Sequence, residues 1–233
     1  MNKEQYENQF ILFKEKSKLD ERFVVEETNK YMILNEDTYK CSYDQHYIYH
    51  TAWAARRICE NKPKKHVDIS SSIYFSTIVS AFVPVDFFDY RPVELDLENY
   101  NSGKADLTCL PHSDNSIQSL SCMHVLEHIG LGRYGDAIDP LGDIVAANEL
   151  KRVLAPGGIL YMVLPVASIN KICFNAHRIY SFKSVLSLFN GLVLKSNTLL
   201  SLFSNKSAFI KNASENDYNQ QTYGCGCFEF QKI

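Results

Sequence analysis

From residue 66 to about 167, short apolar blocks alternate with stretches in which apolar residues recur every three or four positions. That alternation predicts strands and helices in succession. Val67-Asp68-Ile69 reads as a short buried strand, and 70–82 as a turn running into an apolar helix. Residues 85–90 form a second, aromatic strand, Ala105-Asp106-Leu107 a third, and 116–123 a fourth. A helix is expected to start near Asp139-Pro140, with Ile144, Ala147, Leu150, Val153 and Leu154 at helical spacing and Pro156-Gly157-Gly158 ending it. Residues 159–164 are apolar throughout, as in the interior of a parallel sheet covered on both faces. Beyond them come a helix near 182–189, a break at Asn190-Gly191, a strand from Leu192, a polar loop through Asn216 and a final strand over 227–231. The first 64 residues are polar and tyrosine-rich. Their clearest helix is 44–60, with Asp44 as N-cap, and Tyr47, Thr51, Ala54, Ala55 and Ile58 on one side. The fold class expected is a doubly wound, mostly parallel α/β sheet (65–233) preceded by an N-terminal helical extension or lid (1–64).

Composition narrows the function classes. The chain has 233 residues, 45% hydrophobic and 22% charged, which excludes wholly disordered and fibrous readings. The formal charge of −3 offers no general attraction to a phosphate backbone, so nucleic acid is not an expected partner. The apolar runs near 78–85 and 159–167 are too short to span a bilayer. No apolar leader follows Met1-Asn2-Lys3-Glu4-Gln5, so a cytoplasmic location is expected. Seven cysteines, odd in number and without a CxxC pair, read as thiols in a reducing compartment. Cys225-Gly226-Cys227 would place two of them on one face of a strand.

Ligands of such sheets bind beyond the carboxyl ends of the strands, where the winding reverses. Asp68 stands in the first strand, Asp89 ends the second 21 residues later, and Asp106 lies at the third. A carboxylate about 20 residues beyond the first strand suits ribose hydroxyls, because an anion accepts two O–H bonds at once. Acids at strand ends also serve as caps and turn residues. Three in order point to a nucleoside-like cofactor.

Several segments resemble class I S-adenosylmethionine-dependent methyltransferases, whose fold is Rossmann-like. Leu150-Lys151-Arg152-Val153-Leu154-Ala155-Pro156-Gly157-Gly158 before an apolar strand is similar to their L-R-V-L-x-P-G-G segment. Ala105-Asp106-Leu107-Thr108-Cys109-Leu110-Pro111 with Asp114-Asn115-Ser116-Ile117 resembles their D-x-x-x-L-P-F-x-D-x-S-F-D, and Val125-Leu126-Glu127-His128 their V-L-E-H. Residues 124–136 and 174–181 further resemble an uncharacterised methyltransferase-like family of unknown function. The resemblance implies S-adenosyl-L-methionine as cofactor. The candidate cofactor residues are Asp68, Ser70, Ser71, Ser72, Asp89, Tyr90, Asp106, Leu107, Met123 and His124. One departure stands out: where the family has D-x-G-x-G, this chain has Asp68-Ile69-Ser70-Ser71-Ser72. Glycine tolerates positive φ, and serine there costs roughly 1 kcal/mol. The missing glycines weigh more against a dinucleotide, whose pyrophosphate needs closer backbone approach.

Methyl transfer to a hydroxyl needs a base, and histidine suits neutral pH. His124, Glu127 and His128 follow the fourth strand and would share a helical face, which makes them the candidate catalytic residues. No third metal ligand is evident beside the two histidines, so no metal is expected. Arg133 and Tyr134, with His177, Arg178 and Tyr180, supply two loops bearing arginine and aromatic side chains. They suit a small polar acceptor, such as a sugar, a phosphorylated compound or a sugar nucleotide. Tyr49 and His50, with Tyr47, either close over the site or pack as an aromatic face. O-methylation of a sugar or activated glycan precursor is the leading expectation, and N-methylation of an amine would look almost the same. The alternatives are a methyltransferase-like binding module that has lost its cofactor and a nucleotide-dependent oxidoreductase.

Overall fold

A computed structural model describes residues 1–20, 22–201 and 208–233. They divide into two compact units, Met1–Tyr43 and Asp44–Ile233.

The first unit is built on α1 (Lys3–Lys16), which Asn2 and Gln5 start with a reciprocal capping box. Two 3-10 turns follow, Ser17–Leu19 and Glu27–Asn29. The Lys30 ammonium holds the unit together by pairing with Glu7 and Glu27, each at 2.7 Å, and by lying over the Phe10 ring. No residue of α1 is buried.

The second unit opens with α2 (Gln45–Asn61), capped by Asp44 accepting from the Tyr47 amide. Its buried face is His46, His50, Trp53, Ala54 and Ile58. The expected stripe shares only Ala54 and Ile58 with it, and Tyr47 is 47% exposed. Periodicity treated the histidines as polar. In the fold, burial holds His46 and His50 neutral, and a neutral imidazole packs as an aromatic ring.

The sheet elements follow: β1 (His66–Ile69), α3 (Ile73–Val79), β2 (Val85–Asp89), β3 (Tyr100–Lys104), β4 (Ile117–Met123), α4 (Gly142–Val153) and β5 (Leu154–Val166). After these come β6 (Lys171–Cys173), β7 (His177–Ile179), α5 (Phe182–Leu188), β8 (Leu192–Ser201), β9 (Ala208–Lys211), α6 (Glu215–Asn219) and β10 (Gly224–Lys232). The eight-stranded order is β3-β2-β1-β4-β5-β10-β8-β9, with β10 antiparallel to both its neighbours and β9 antiparallel to β8. One core lies between the sheet and α2 and α3, through Trp53, Ile58, Phe75, Val79, Phe87 and Val163. The other lies on the opposite face under α4, α5 and α6, through Ala147, Leu150, Leu160, Met162, Val185 and Tyr218. This is the doubly wound, mostly parallel sheet that the alternation of elements anticipates.

Several expectations need correction. The third strand is not Ala105-Asp106-Leu107 but Tyr100–Lys104, whose polar Asn101-Ser102-Gly103 suits a sheet edge with one wet face. Asp106 instead makes an isolated bridge to Cys109 just past that edge. Along α4, Ile144 is exposed, and Asp143, Ala146, Ala147, Leu150 and Val153 are buried. Leu154 already belongs to β5, and Pro156-Gly157-Gly158 forms a bulge within that strand. Leu154 faces Ile117, and pairing resumes at Ile159 opposite Ser119. The expected polar loop up to Asn216 contains β9 and part of α6, and its residues 202–207 lie outside the described residues. The small β6-β7 hairpin is additional.

His66 shows how the sheet tolerates polar groups. It is fully buried in β1, with Nδ1 2.8 Å from Ser119 Oγ and Nε2 2.9 Å from Ser121 Oγ on β4. Burial pushes its pKa down to about 3, so it folds as a neutral ring whose two nitrogens are both satisfied.

The loop after β4 depends on one glycine. Gly130 has φ +79, and a Cβ there would stand 2.0 Å from the Asp139 carbonyl oxygen. Gly130→Ala is expected to destabilise the protein by about 3 kcal/mol or more, since backbone must move. Gly135→Ala, at φ +84 but in open space, should cost about 1–2 kcal/mol. Urea denaturation of both variants checks the ranking, and equal losses would contradict it.

Candidate functional site

Two adjoining clefts open at the carboxyl ends of the parallel strands. One, of about 480 Å³, is rimmed by Asp89 and Asp106, with Tyr90, Leu107 and Val125 among its walls. The other, of about 680 Å³, is lined by His46, His124, His128 and His177, with Glu127 and Tyr223. Ser70, His124, His128 and Tyr134 line both.

The acidic cleft takes shape from three turns. Asp89 ends β2 and accepts from the Arg91 amide at 2.7 Å. Asp106 Oδ1 accepts from the Thr108 amide and hydroxyl at 2.8 and 2.6 Å, which orients the carboxylate. Ser70 leaves β1 with φ +56, the left-handed conformation that a glycine would adopt freely, and its amide donates to the Phe88 carbonyl at 2.7 Å. The chain therefore follows this turn without glycine. Ser71 and Ser72 line the histidine cleft. The Tyr134 ring lies beside two guanidinium groups, Arg91 at 4.7 Å and Arg133 at 5.2 Å.

Asp68 is placed differently from its expected cofactor role. It is fully buried beneath the serine turn and lines neither cleft. Its Oδ1 accepts from Ser121 Oγ at 2.7 Å, and Oδ2 has no well-formed hydrogen bond. Burial pushes its pKa up to about 7, against the pull of Ser121 and Ser71.

The histidine cleft draws on separate elements. His124 follows β4 with φ +55. Its Nδ1 lies 2.9 Å from Glu127 Oε1 and its Nε2 3.5 Å from Cys225 Sγ on β10. Burial opposes protonation of His124, but its bonds to Cys225 and Glu127 outweigh that and raise its pKa. Burial pushes the Cys225 thiol well up, against the pull of His124. His128 ends the 3-10 turn Leu126–His128, and its Nδ1 lies 2.6 Å from the Ala176 carbonyl oxygen. A carbonyl only accepts, so Nδ1 carries a proton, and in the neutral ring Nε2, 3.8 Å from Glu127 Oε1, is the nitrogen with the lone pair. His46 stacks between the His124 ring at 5.6 Å and the Tyr223 ring at 5.1 Å, and burial lowers its pKa to about 4.

The expected residues therefore separate. Ser70, Asp89, Tyr90, Asp106, Leu107 and His124 meet at the acidic cleft; Ser71, Ser72, Met123, Glu127, His128, Arg133, Tyr134 and His177 reach the histidine cleft or its shared wall. Arg178 and Tyr180 line neither. The Arg178 guanidinium is buried against the Ile129, Asp139 and Pro140 carbonyls and pairs with Asp143 at 3.7 Å, and Tyr180 Oη donates to Asp143 Oδ2 at 2.9 Å. Tyr49 packs on Phe209. His50 lies behind the cleft, with Nδ1 donating to the His46 carbonyl and its ring edge-on to His124. His46, Arg91, Tyr223 and Cys225 were not anticipated. The spacing of His46 and His50 by one helical turn was the available signal; nothing local tied Tyr223 or Cys225 to them.

Asp68 makes stability pH-dependent in a definite direction. In the unfolded chain its carboxyl ionises near 3.8, and in the fold it stays protonated to about 7. The folded state therefore binds more protons between those values, and this group's contribution to stability falls as pH rises through that window. Asp68→Asn cannot ionise. Its melting temperature relative to the unmodified protein should be higher at pH 8 than at pH 4, and thermal denaturation at the two pH values checks this.

Comparison with known proteins places the fold. Residues 112–223 match the family described as "Caenorhabditis protein of unknown function, DUF268". No curated protein matches the chain significantly. Among solved structures, the N-methyltransferase NodS from Bradyrhizobium japonicum, in complex with S-adenosylhomocysteine, is similar at TM-score 0.56 and 11% identity over 85% of this chain and 93% of that one. Burkholderia thailandensis 1,6-didemethyltoxoflavin-N1-methyltransferase, with its didemethyltoxoflavin and S-adenosylhomocysteine bound, is similar at TM-score 0.56 and 10% identity over 79% and 78%. The [4+2]-cyclase SpnF is similar at TM-score 0.56 and 14% identity over 84% of each chain. The fold is that of the class I S-adenosylmethionine-dependent methyltransferases. At such identities the likeness concerns the fold, and one neighbour described as a cyclase shows that a fold does not carry its chemistry with it.

Proposed function

We propose that this chain transfers a methyl group from S-adenosylmethionine to a hydroxyl of a small polar acceptor. The observation that carries this is the position of His128. It stands on the wall common to both clefts, with Nδ1 fixed by the Ala176 carbonyl and Nε2 free of any hydrogen bond to a carbonyl or hydroxyl.

The acidic cleft fits the cofactor's nucleoside. Carboxylates at Asp89 and Asp106 accept from ribose hydroxyls and a ring amino group, and Leu107 and Val125 offer apolar walls to a purine. Ser70 keeps the turn open in the conformation that glycine would use. When bound, S-adenosylmethionine supplies a methyl group made electrophilic by a sulfonium, which leaves as a neutral thioether and needs no acid.

The rest falls to the protein. The acceptor oxygen must be aligned for in-line attack on the methyl carbon and stripped of its proton. His128 Nε2 takes that proton as the C–O bond forms and the C–S bond breaks. His124 is less suited as base because both its ring nitrogens are engaged, by Glu127 and by Cys225. Glu127 orients His124 through its Nδ1, and its Oε1 lies 3.8 Å from His128 Nε2. Tyr134 and Arg133 wall the acceptor side. With Arg178 turned inward, one guanidinium faces the histidine cleft where two were expected. That favours an uncharged polyol, such as a sugar or the sugar portion of a glycan precursor, over a multiply charged phosphate.

A second reading, a binding module without cofactor, is favoured by the glycine-free turn. Calorimetry separates the two. S-adenosylmethionine and S-adenosylhomocysteine are expected to bind in the micromolar range and NAD not at all; absence of binding by the first two supports the module. Asp89→Ala should weaken S-adenosylhomocysteine binding by about 1–3 kcal/mol through loss of a charged acceptor. His128→Ala should leave that affinity intact while slowing methyl transfer to the responding member of a sugar and sugar-nucleotide panel by about 100-fold or more. Full turnover in His128→Ala would remove the base from the mechanism.

A further inference from the structure

Five of the seven histidines gather around the histidine cleft or directly behind it: His46, His50, His124, His128 and His177. Proton transfer to one acceptor uses one of them. Three chemistry-bearing side chains converge at the inner wall from separate elements: His46 on α2, His124 after β4 and Cys225 on β10. One ring nitrogen of each histidine and the cysteine Sγ all lie within 4.8 Å of one another.

We propose that His46, His124 and Cys225 form a zinc site whose fourth coordination position opens into the histidine cleft.

The geometry is close to what the metal requires. In a tetrahedral site with bonds of about 2.0–2.3 Å, ligand atoms stand roughly 3.3–3.7 Å apart. His124 Nε2 and Cys225 Sγ are already 3.5 Å apart. His46 needs to close by about 1 Å to complete the set. The outer contacts also match. Glu127 accepts from His124 Nδ1–H, so Nε2, on the Cys225 side, is the nitrogen left to coordinate once its own proton is displaced, the usual support of a metal-bound imidazole. His46 is 7% exposed and its Nε2 has no hydrogen-bond partner, a cost that coordination at that nitrogen would remove. Two imidazoles and a thiolate select zinc-like metals over magnesium or calcium, which require oxygen ligands. Zinc entering replaces the Cys225 Sγ proton and the His124 Nε2 proton, both of which leave to solvent, so charge and atoms balance.

No fourth side chain completes the site among the described residues. Three protein ligands with an open position beside a cleft of about 680 Å³ describe a reactive rather than a purely structural zinc. Resting on the methyltransferase reading, the open position would hold an acceptor oxygen and lower its pKa, so that His128 removes a proton already weakened. Metal binding itself does not depend on that reading.

The test uses the full chain, stripped with a chelator and titrated anaerobically with Co²⁺. One equivalent should produce a thiolate-to-cobalt charge-transfer band in the near ultraviolet and the visible bands of tetrahedral coordination. Cys225→Ser should abolish the charge-transfer band, His46→Ala should weaken binding at least 10-fold, and Cys227→Ser, two residues away on the same strand face, should retain the band. X-ray absorption of the zinc-loaded unmodified protein should show one sulfur near 2.3 Å and two imidazole nitrogens at about 2.0–2.1 Å, which decides the matter if a variant fails to fold. Absence of the band in the unmodified protein, its survival in Cys225→Ser, or an all-oxygen shell overturns the proposal. If the band forms but S-adenosylmethionine does not bind, the zinc site stands and the methyltransferase reading falls. If the cofactor binds without any band, the reverse holds.

Discussion

The ends of β1 and β4 are joined where the winding of the sheet reverses. The Met123 amide donates to Ser71 Oγ at 3.0 Å, and Ser121 Oγ donates to Asp68 at 2.7 Å. Deeper along the same pair of strands, His66 spans Ser119 and Ser121. These bonds are buried, so each carries the full penalty of an unmade partner if it is lost. They hold the serine turn after β1 and the left-handed His124 after β4 at a set separation. One loop then departs toward β2 and the other toward β5, and the space between them is the candidate site.

Each half of that space has its own chemistry because each loop brings different side chains to it. On the β2 side, Asp89 and Asp106 are set by backbone turns and remain open to a ligand. On the β10 side, the groups are buried and bound to one another: Glu127 to His124, His124 to Cys225, and His46 stacked against both His124 and Tyr223. On the proposed reading, the first half takes the cofactor and the second positions the reacting oxygen. His128 lines both halves, with its Nδ1 held by the Ala176 carbonyl.

Reading the sequence went furthest where a residue's role is local. Asp44 caps α2, Asp89 ends β2, Gly191 breaks the chain before β8, and the apolar run 159–164 lies inside the sheet; each follows from its immediate neighbours. Tyr100–Lys104 was missed because an edge strand need not alternate cleanly. The buried face of α2 was misjudged because hydropathy counts histidine as polar, and only the burial of His46 and His50 makes them apolar in effect. Arg178 resembled a ligand-binding cation, yet three carbonyls around it make it a brace for the loop that carries Gly130.

The amino-acid order alone determined the succession of strands and helices, and with it a doubly wound sheet having acids at the ends of its strands. It did so because period and turn chemistry act over a few residues. What only the folded chain decided is which distant side chains meet. His46, His124 and Cys225 lie up to 179 positions apart in the chain and come together through the antiparallel insertion of β10 beside β5 and the packing of α2 on that face of the sheet. Such encounters depend on strand order and crossover direction, which are properties of the whole sheet and leave no trace in local spacing.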